Sequence, residues 1–445
     1  MATLLEKYSQ RLAVSDNTFA KSHNGAKMDS TRKLMVAACL ENTNKFLSES
    51  FNNSVGTQRA DMGEFRKFAL NLVTVALPTL IAPELVMVYP MTSFSGYVNY
   101  LSYTAGSNKG SVHQGDIFNN VFGMPQTNNA DAKYTASAVV EAVTSFVSGT
   151  TKVAWTPVVA GTIRALDANG VEVSDNETTA WTAAADGTIT AGAYVSGKSA
   201  SDVAKLAYQY DNVVIPQNDL PILNAEIKGI ALQAKARRIA VFYSQMAAFQ
   251  AKTDYGFNME DEMAKQAVGQ LAYEVDTEVV TTLDETAGAA DAALTWSKTL
   301  PVGVSKMEHY EGFSEIIEIA RAIIYNRTKR FAPNYMIIAA DVLPVLTFIS
   351  GFTAAPAGQV NGPYFAGTLN ALKVFVSPAL ESGKFLIGVN GNDGMSSVAV
   401  YAPYLPICPT QLLGFADGAM SQGFSTLYDI KILNENLIIA GKVTD

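Results

Sequence analysis

The longest regular pattern of apolar and polar positions runs from Met259 to Leu283. Ala264, Val268, Leu271, Val275, Val279 and Leu283 recur at spacings of three and four, while Lys265, Glu274 and Asp276 fall off the stripe, as in a helix with one buried face. Asn258 stands at its N-cap, and Glu260, Asp261 and Glu262 put three carboxylates in the first turn, where the helix dipole favours negative charge. At roughly 1.5 Å per residue such a helix is about 37 Å long. Leading into it, Leu220 to Ser244 reads as a long strand, with Ala225, Ile227, Gly229 and Ala231 on one face and Glu226 and Lys228 on the other.

The flanking sequence divides by pattern. Residues 1 to about 60 are rich in Ser, Asn and Lys and predict an extended, partly ordered arm. Within it lies a helix from Thr31 to Glu49 with Leu34, Ala37, Ala38 and Phe46 on one side. From Met62 to Val75, Phe65, Phe68, Ala69, Leu72 and Val75 form a helical stripe that stops before Pro78, and Glu84 to Thr104 reads as a long β stretch. Gly106, Gly110 and Gly115, then Asn119, Asn120, Asn128 and Asn129, mark loops. About 150 to 211 predicts short strands with turn signals every ten or so residues, a small β-sandwich or barrel inserted between stronger structure. Beyond the long helix, Ser314 to Tyr325 and Asp341 to Ile349 read as helices, and Tyr335 to Ala339, Ala371 to Val376 and Lys384 to Val389 as strands. Together they predict a compact α/β region. Gly391 to Gly394 is a turn, and Val398 to Ile407 and Ser425 to Ile439 return to β.

A chain of 445 residues exceeds the size at which one core stops growing, so two or three packed regions are expected. Hydrophobic residues make up 48% and charged residues 16%, the latter below the roughly quarter usual in soluble domains. This suits a protein with much surface buried against neighbours, and equally a neutral-surfaced secreted one. The net charge of −9 offers no general basic footprint for nucleic acid. The first sixty residues hold eight basic and five acidic groups, which an ordinary solvated arm explains. Cys39 and Cys408 lie in apolar stretches and read as buried small hydrophobes, so no disulfide framework is expected. Met1 to Lys7 does not read as a signal peptide, and Phe68 to Met91 is broken by Asn71, Pro78, Pro83 and Glu84, so it makes no transmembrane helix.

Several strings in order carry a resemblance. They are Ala76-Leu77-Pro78-Thr79-Leu80-Ile81-Ala82 with Glu84-Leu85-Val86 and Pro90-Met91-Thr92; Ala234-Lys235-Ala236-Arg237 with Tyr243-Ser244; Asp254-Tyr255-Gly256-Phe257-Asn258; Glu274 to Val280; and Tyr401-Ala402-Pro403-Tyr404 with Gly423 to Tyr428. In these the chain resembles the major capsid proteins of T-even-like tailed phages, which carry the Hong Kong 97-type shell fold. The resemblance implies an α+β chain with an N-terminal arm (1–60), a peripheral domain (61–103 and 244–310, with a spine helix at 259–283), and an extended loop (104–243) carrying the inserted β-domain. An axial α/β domain (311–400) and C-terminal strands returning to the peripheral domain (401–445) complete it. It also implies hexamers and pentamers closing an icosahedral shell around packaged DNA in the virion, assembled in the host cytoplasm. Portal, scaffold, maturation protease and decoration proteins are the implied partners, and Leu4-Leu5-Glu6 or Leu47-Ser48-Glu49 are possible cut sites. The β-insert departs from the family pattern.

Chemistry-bearing residues point away from catalysis. His23, His113 and His309 are far apart, with no partner at metal or triad spacing. No Gly-x-Ser-x-Gly elbow or phosphate loop occurs, since Gly106-Ser-Asn-Lys-Gly110 precedes no helix. Asp284 and Glu285 are chain neighbours that point apart, unlike a glycosidase pair. No catalytic, cofactor or metal residue is therefore expected, and no membrane partner. Lys109, Arg237, Arg238, Glu260, Asp261 and Glu262 are the candidate intersubunit contacts. Arg237 and Arg238 project to opposite faces of a strand, so one can meet a neighbour's carboxylate in the Glu260 to Glu262 cluster. An intrachain surface pair, worth at most about 1 kcal/mol, is the equal alternative. Trp155 and Trp181 could contact sugars or a decoration protein, but read better as the insert's core. Two rival functions are a cellular nanocompartment shell protein of the same fold, usually shorter and without the insert, and a secreted adhesive or carbohydrate-binding β protein. The spine helix and the missing export signal oppose the second.

Overall fold

The computed structural model describes residues 2–22, 27–52, 61–109, 112–115, 134–143, 149–211, 213, 220–328, 330–355, 362–391, 396–410, 412–415 and 418–444. His23, Asn119, Asn120, Asn128, Asn129 and the 392–394 turn lie outside them. Helices and strands mix throughout, so the chain is α+β, and it divides into two compact units. One comprises Met1–Tyr100 and Gly229–Asp445, the other Leu101–Lys228.

Two sheets frame the first unit. A seven-stranded mixed sheet runs in the order Thr295–Ser297, Ile438–Thr444, Lys384–Gly388, Tyr335–Ile338, Leu372–Val376, Tyr364–Leu369, Phe352–Ala354. Its central strand Tyr335–Ile338 is buried at every position, as expected of a strand covered on both faces. A five-stranded sheet runs Met87–Val88, Ala399–Pro409, Ala419–Ile432, Lys235–Ser244, with Leu413–Gly414 pairing beside Ala419–Ile432. The C-terminal segment is thus divided: its first three strands join the five-stranded sheet, while Ile438–Thr444 pairs antiparallel with Lys384–Gly388. Sequence had placed all of these strands with the peripheral domain. A short turn at Glu435–Leu437 hands the apolar run Ile438-Ile439-Ala440 to the other core.

The spine helix covers Met259–Ala287 and ends at Gly288, whose φ of 71° stops helical propagation. Its two halves bury into different cores. Ala264, Ala267, Val268 and Leu271 pack with Ile407, Phe424, Ile239 and Val241 of the five-stranded sheet. Val275, Val279, Val280 and Leu283 enter the large core built around the seven-stranded sheet.

Several expectations change. Instead of an extended arm, the start is helical over Ala2–Lys7 and Ser9–Ser22, and the expected helix within it is present as Ser30–Asn52. Tyr8, Leu12 and Phe19 enter the large core, and the Ser15 hydroxyl donates to Thr74 O at 3.0 Å. The many polar residues around them hid this sparse stripe. In Ser30–Asn52 the buried face is Met35, Val36, Ala37, Cys39, Leu40, Thr43 and Leu47, so of the expected residues Ala37 is buried, Leu34 and Ala38 are half-buried and Phe46 is exposed. Lys7, Arg11, Arg32 and Lys33 are tied to Glu41, Asn71, Glu84 and Asp16, of which only Glu84 is an acidic group from outside the arm. Glu84 to Thr104 is not one strand: Pro83 starts a short helix Ala82–Leu85, and pairing resumes as Met87–Val88 and Ser95–Ala105. Leu220 to Ser244 breaks at Ala234, whose N–H donates to Phe94 O, into Leu223–Gln233, paired with Ser95–Ala105, and Lys235–Ser244. Of Asp341 to Ile349 only Leu343–Leu346 is helical.

The second unit is β-rich. Three small sheets (Ala138–Ala142 with Lys205–Gln209 and Arg164–Leu166; Thr150–Lys152 with Thr188–Thr190 and Thr182–Ala183; Ser174–Asp175 with Ala193–Tyr194) surround one core. Trp155, Trp181, Ile189, Leu206 and Tyr208 are buried there, and the Trp181 indole N–H donates to Ala193 O at 3.1 Å. The tryptophans are core residues. The unit's first sheet begins at Ala138, ahead of the expected boundary near 150. Among the described residues of the whole chain, no helix is long and apolar enough to cross a membrane.

Two glycines test this packing. A Cβ at Gly441 would run into the ring of Phe385, its buried cross-strand partner, so Gly441→Val should cost about 1–3 kcal/mol or more in urea unfolding. Gly269, mid-spine with nothing within 4 Å of an added Cβ, should give a stabilising Gly269→Ala of about 0.5–1 kcal/mol.

Candidate functional site

The spine helix is anchored by a buried carboxylate. Asp276, which the stripe placed off the apolar face, is buried and accepts from Ala82 N at 2.9 Å and Ile81 N at 3.1 Å, residues some 195 positions earlier in the chain. It thereby satisfies the free N–H groups at the start of Ala82–Leu85. Burial pushes its carboxyl up to about 7, against the pull of those N–H groups and the charge of Arg32. Arg32 is itself buried. It donates to Leu80 O and, at 3.1 Å, to Glu84, lies 4.6 Å from the Phe19 ring centre, and has its pKa lowered by burial. Lys373 stands 3.5 Å from the other Glu84 oxygen. Asp276, Arg32 and Glu84 thus tie three helices together.

The candidate contacts are placed as follows. Arg237 lies on the inward face of Lys235–Ser244 and donates to Glu274 at 3.1 Å and Glu278 at 2.7 Å, while the Tyr428 hydroxyl also donates to Glu278. Its partners are intrachain and are not Glu260 to Glu262, because strand and spine run so that Arg237 reaches the helix four turns further on. Arg238, on the other face, is exposed and makes no ion pair among the described residues. Glu262 faces Lys265 at 3.7 Å, and Asp261 accepts from the Asn258 side-chain amide at 3.1 Å. Asn258 occupies the N-cap but makes no side-chain cap bond, since that amide is turned to Asp261. Burial raises the Tyr243 phenol and the Glu260 charge adds to it, so the acidic helix start lies near the strand's end.

Lys109 is corrected outright. It is 4% exposed in the second unit, and its Nζ donates to Tyr134 O and Ala136 O at 2.6 Å and to the Tyr210 hydroxyl at 2.7 Å. The Trp155 and Tyr210 rings lie 5.2 and 4.8 Å away. Burial lowers its pKa to about 8. Lys109 is an internal pin and offers no surface to a neighbour. A lysine among glycines gave no sign of this cage.

The remaining chemistry is dispersed. The His309 ring stacks on Trp296 at 4.8 Å and its Nε2 lies 2.9 Å from Ser297 O. Asp284 faces Lys384, whereas Glu285 is exposed. No group of three His, Cys, Asp or Glu residues among those described could hold a metal ion. Both cysteines are free and buried, with pKa values pushed up to about 12.

The buried ionic groups are open to measurement. The folded chain holds the Asp276 proton above the ordinary value of 3.8, so this group's contribution is complete below about pH 4 and falls as pH rises toward 7. Urea unfolding at stepped pH should therefore show Asp276→Asn gaining on the wild type across that window, and a pH-independent difference would remove the assignment. Asp276→Ala strands two buried backbone donors, and should cost about 2–4 kcal/mol. Lys109→Met leaves two carbonyls unpaired and should cost about 1–3 kcal/mol, seen by tryptophan fluorescence during unfolding.

Comparison with known proteins places this arrangement. Residues 62–442 match the family of the major capsid protein Gp23. Among curated relatives, the major capsid protein of Escherichia phage AR1 is 22% identical over 86% of this chain and 78% of its own length. That of Enterobacteria phage T6 is 23% identical over 86% and 80%, and that of Vibrio phage KVP40 23% identical over 82% and 75%. A solved structure from Microbacterium phage Oxtober96, 11% identical, covers 82% of this chain and 91% of that one with a TM-score of 0.38, too loose a likeness to add to the sequence match. With the family pattern running from the helix Asp61–Ala76 through both sheets and the spine helix, the chain belongs to the Gp23 major capsid protein family.

Proposed function

We propose that this chain self-assembles, as hexamers and pentamers, into the icosahedral head shell that encloses a tailed phage's double-stranded DNA, and that it does so with the Hong Kong 97-type fold. The observation that carries the reading is the family match across residues 62–442. The function is mechanical. Identical subunits close a shell through many modest contacts, whose combined burial offsets the entropy lost on ordering. In this reading residues 1–60 serve as the arm, 104–243 as the extended loop with its β-insert, 259–283 as the core of the spine, and 311–400 as the axial domain. Portal, scaffold, maturation protease and decoration proteins are its partners, and packaged DNA lies against it without sequence-specific contact. Exposed Arg238 with Glu260, Asp261 and Glu262 remain the groups placed to meet neighbouring subunits. The role needs no catalysis or cofactor, and the family match removes the secreted adhesin as a rival.

Negative-stain microscopy of the purified chain should show closed shells of a size to hold a genome. Small cages would instead indicate a cargo compartment, and the absence of particles would overturn the shell reading.

A further inference from the structure

An asparagine followed by glycine is a place where a peptide chain can react with itself, because glycine has no Cβ to keep its nitrogen away from the preceding carboxamide. The chain has four such steps, at Asn24, Asn169, Asn361 and Asn390. Asn169 and Asn390 lie among the described residues together with the glycine that follows each. Their local sequences are equivalent, but the fold treats them oppositely.

Asn390, in the first unit, is locked at every polar atom. Its Nδ2 donates to Glu84 O at 2.9 Å, and its Oδ1 accepts from the Ser397 hydroxyl at 3.3 Å. Its backbone N–H donates to Asn334 Oδ1 at 2.8 Å and its carbonyl accepts from Asn334 Nδ2 at 2.6 Å. A Cβ at Gly391 would run into the Ser396 side chain, so the step is tightly packed as well as bonded. The carboxamide cannot swing toward Gly391 N without breaking both of its own hydrogen bonds.

Asn169, in the second unit, stands at the tip of the turn Asp167–Gly170. Ala168, Asn169, Gly170 and Val171 are all exposed, and a Cβ at Gly170 would meet nothing within 4 Å. Its backbone N–H donates to Asp167 Oδ1 at 2.9 Å, but its carboxamide makes no hydrogen bond among the described residues. The Gly170 nitrogen is restrained by one turn bond, to Asp167 O at 3.1 Å, and exposed turn bonds of this kind are among the first to open in a folded protein. The surroundings favour added negative charge. Lys198 lies 3.7 Å from the Asp167 carboxylate, and the Lys205 ammonium donates to Ala168 O at 3.4 Å.

We propose that Asn169 is a self-modification site, at which the folded chain slowly exchanges a neutral amide for a carboxylate. Gly170 N, giving up its proton, attacks Asn169 Cγ; the bond from Cγ to the amide nitrogen breaks, and ammonia leaves with that proton. The five-membered imide then takes up water at either carbonyl carbon. Opening the bond from Cγ to Gly170 N gives aspartate, and opening the bond from the Asn169 main-chain carbonyl carbon to Gly170 N gives isoaspartate. The second product lengthens the main chain by one carbon, inside a turn where Asp167 Oδ1 accepts from both Asn169 N and Val171 N.

Peptide mapping by mass spectrometry tests this on the purified full chain held for days in mildly alkaline buffer, with and without strong urea. In the folded chain Asn169 should convert at least about tenfold faster than Asn390, whose bonds hold the amide away from its attacker. In urea the two should convert at similar rates. An isoaspartate-specific methyltransferase should label the peptide holding residue 169 and leave the peptide holding residue 390 unlabelled in the folded sample. An unconverted Asn169, an Asn390 that keeps pace with it in the folded chain, or a rate difference that persists in urea would each overturn the assignment.

Discussion

The first unit depends on one helix being buried twice. Met259–Ala287 packs its first half on the five-stranded sheet and its second half into the core of the seven-stranded sheet. A helix long enough to serve two cores must be held along its axis as well as against each sheet, because apolar packing alone permits sliding. Asp276 supplies that register. Its carboxylate accepts from two backbone N–H groups at the start of Ala82–Leu85, and Arg32 draws the helix Ser30–Asn52 to the same node through Glu84 and Leu80. Directional bonds in a dry interior specify a position that hydrophobic contact leaves loose.

The second unit solves a similar problem with a cation. The strands of its three small sheets are two to five residues long, too short to hold a sheet by pairing alone. An aromatic core and the buried Lys109 ammonium gather the loop before Val112, the segment at Tyr134 to Ala136, and Tyr210 around one point. Both units thus fix irregular backbone with a buried ionisable group that bonds to main-chain groups, two N–H groups for Asp276 and two carbonyls beside the Tyr210 hydroxyl for Lys109.

For a shell-building chain, interior order and exterior incompleteness go together. Arg237, Glu274, Glu278 and Tyr428 lock the strand Lys235–Ser244 to the spine on one face, so the opposite face presents Arg238 and Phe242 in fixed positions. A fixed apolar surface loses little conformational freedom on association, which favours contacts that are individually modest and repeated many times.

Sequence by itself determined the spine helix, its acidic start, the α/β region near Tyr335 and the β-character of the insert, because strong periodicity and turn residues are local signals. It also carried the ordered strings that resemble the capsid family. Tertiary structure alone decided which face of Ser30–Asn52 is buried, that the chain's start is helical, that the strand breaks at Ala234, and that Ile438–Thr444 changes sheets. It likewise decided that Asp276 and Lys109 lie inside. A carboxylate or ammonium reads as solvent-facing unless its partners are known, and here those partners are backbone groups and one tyrosine hydroxyl, up to about 195 residues away. Pairing at that range leaves no periodic trace in the chain, so only the folded structure can reveal it.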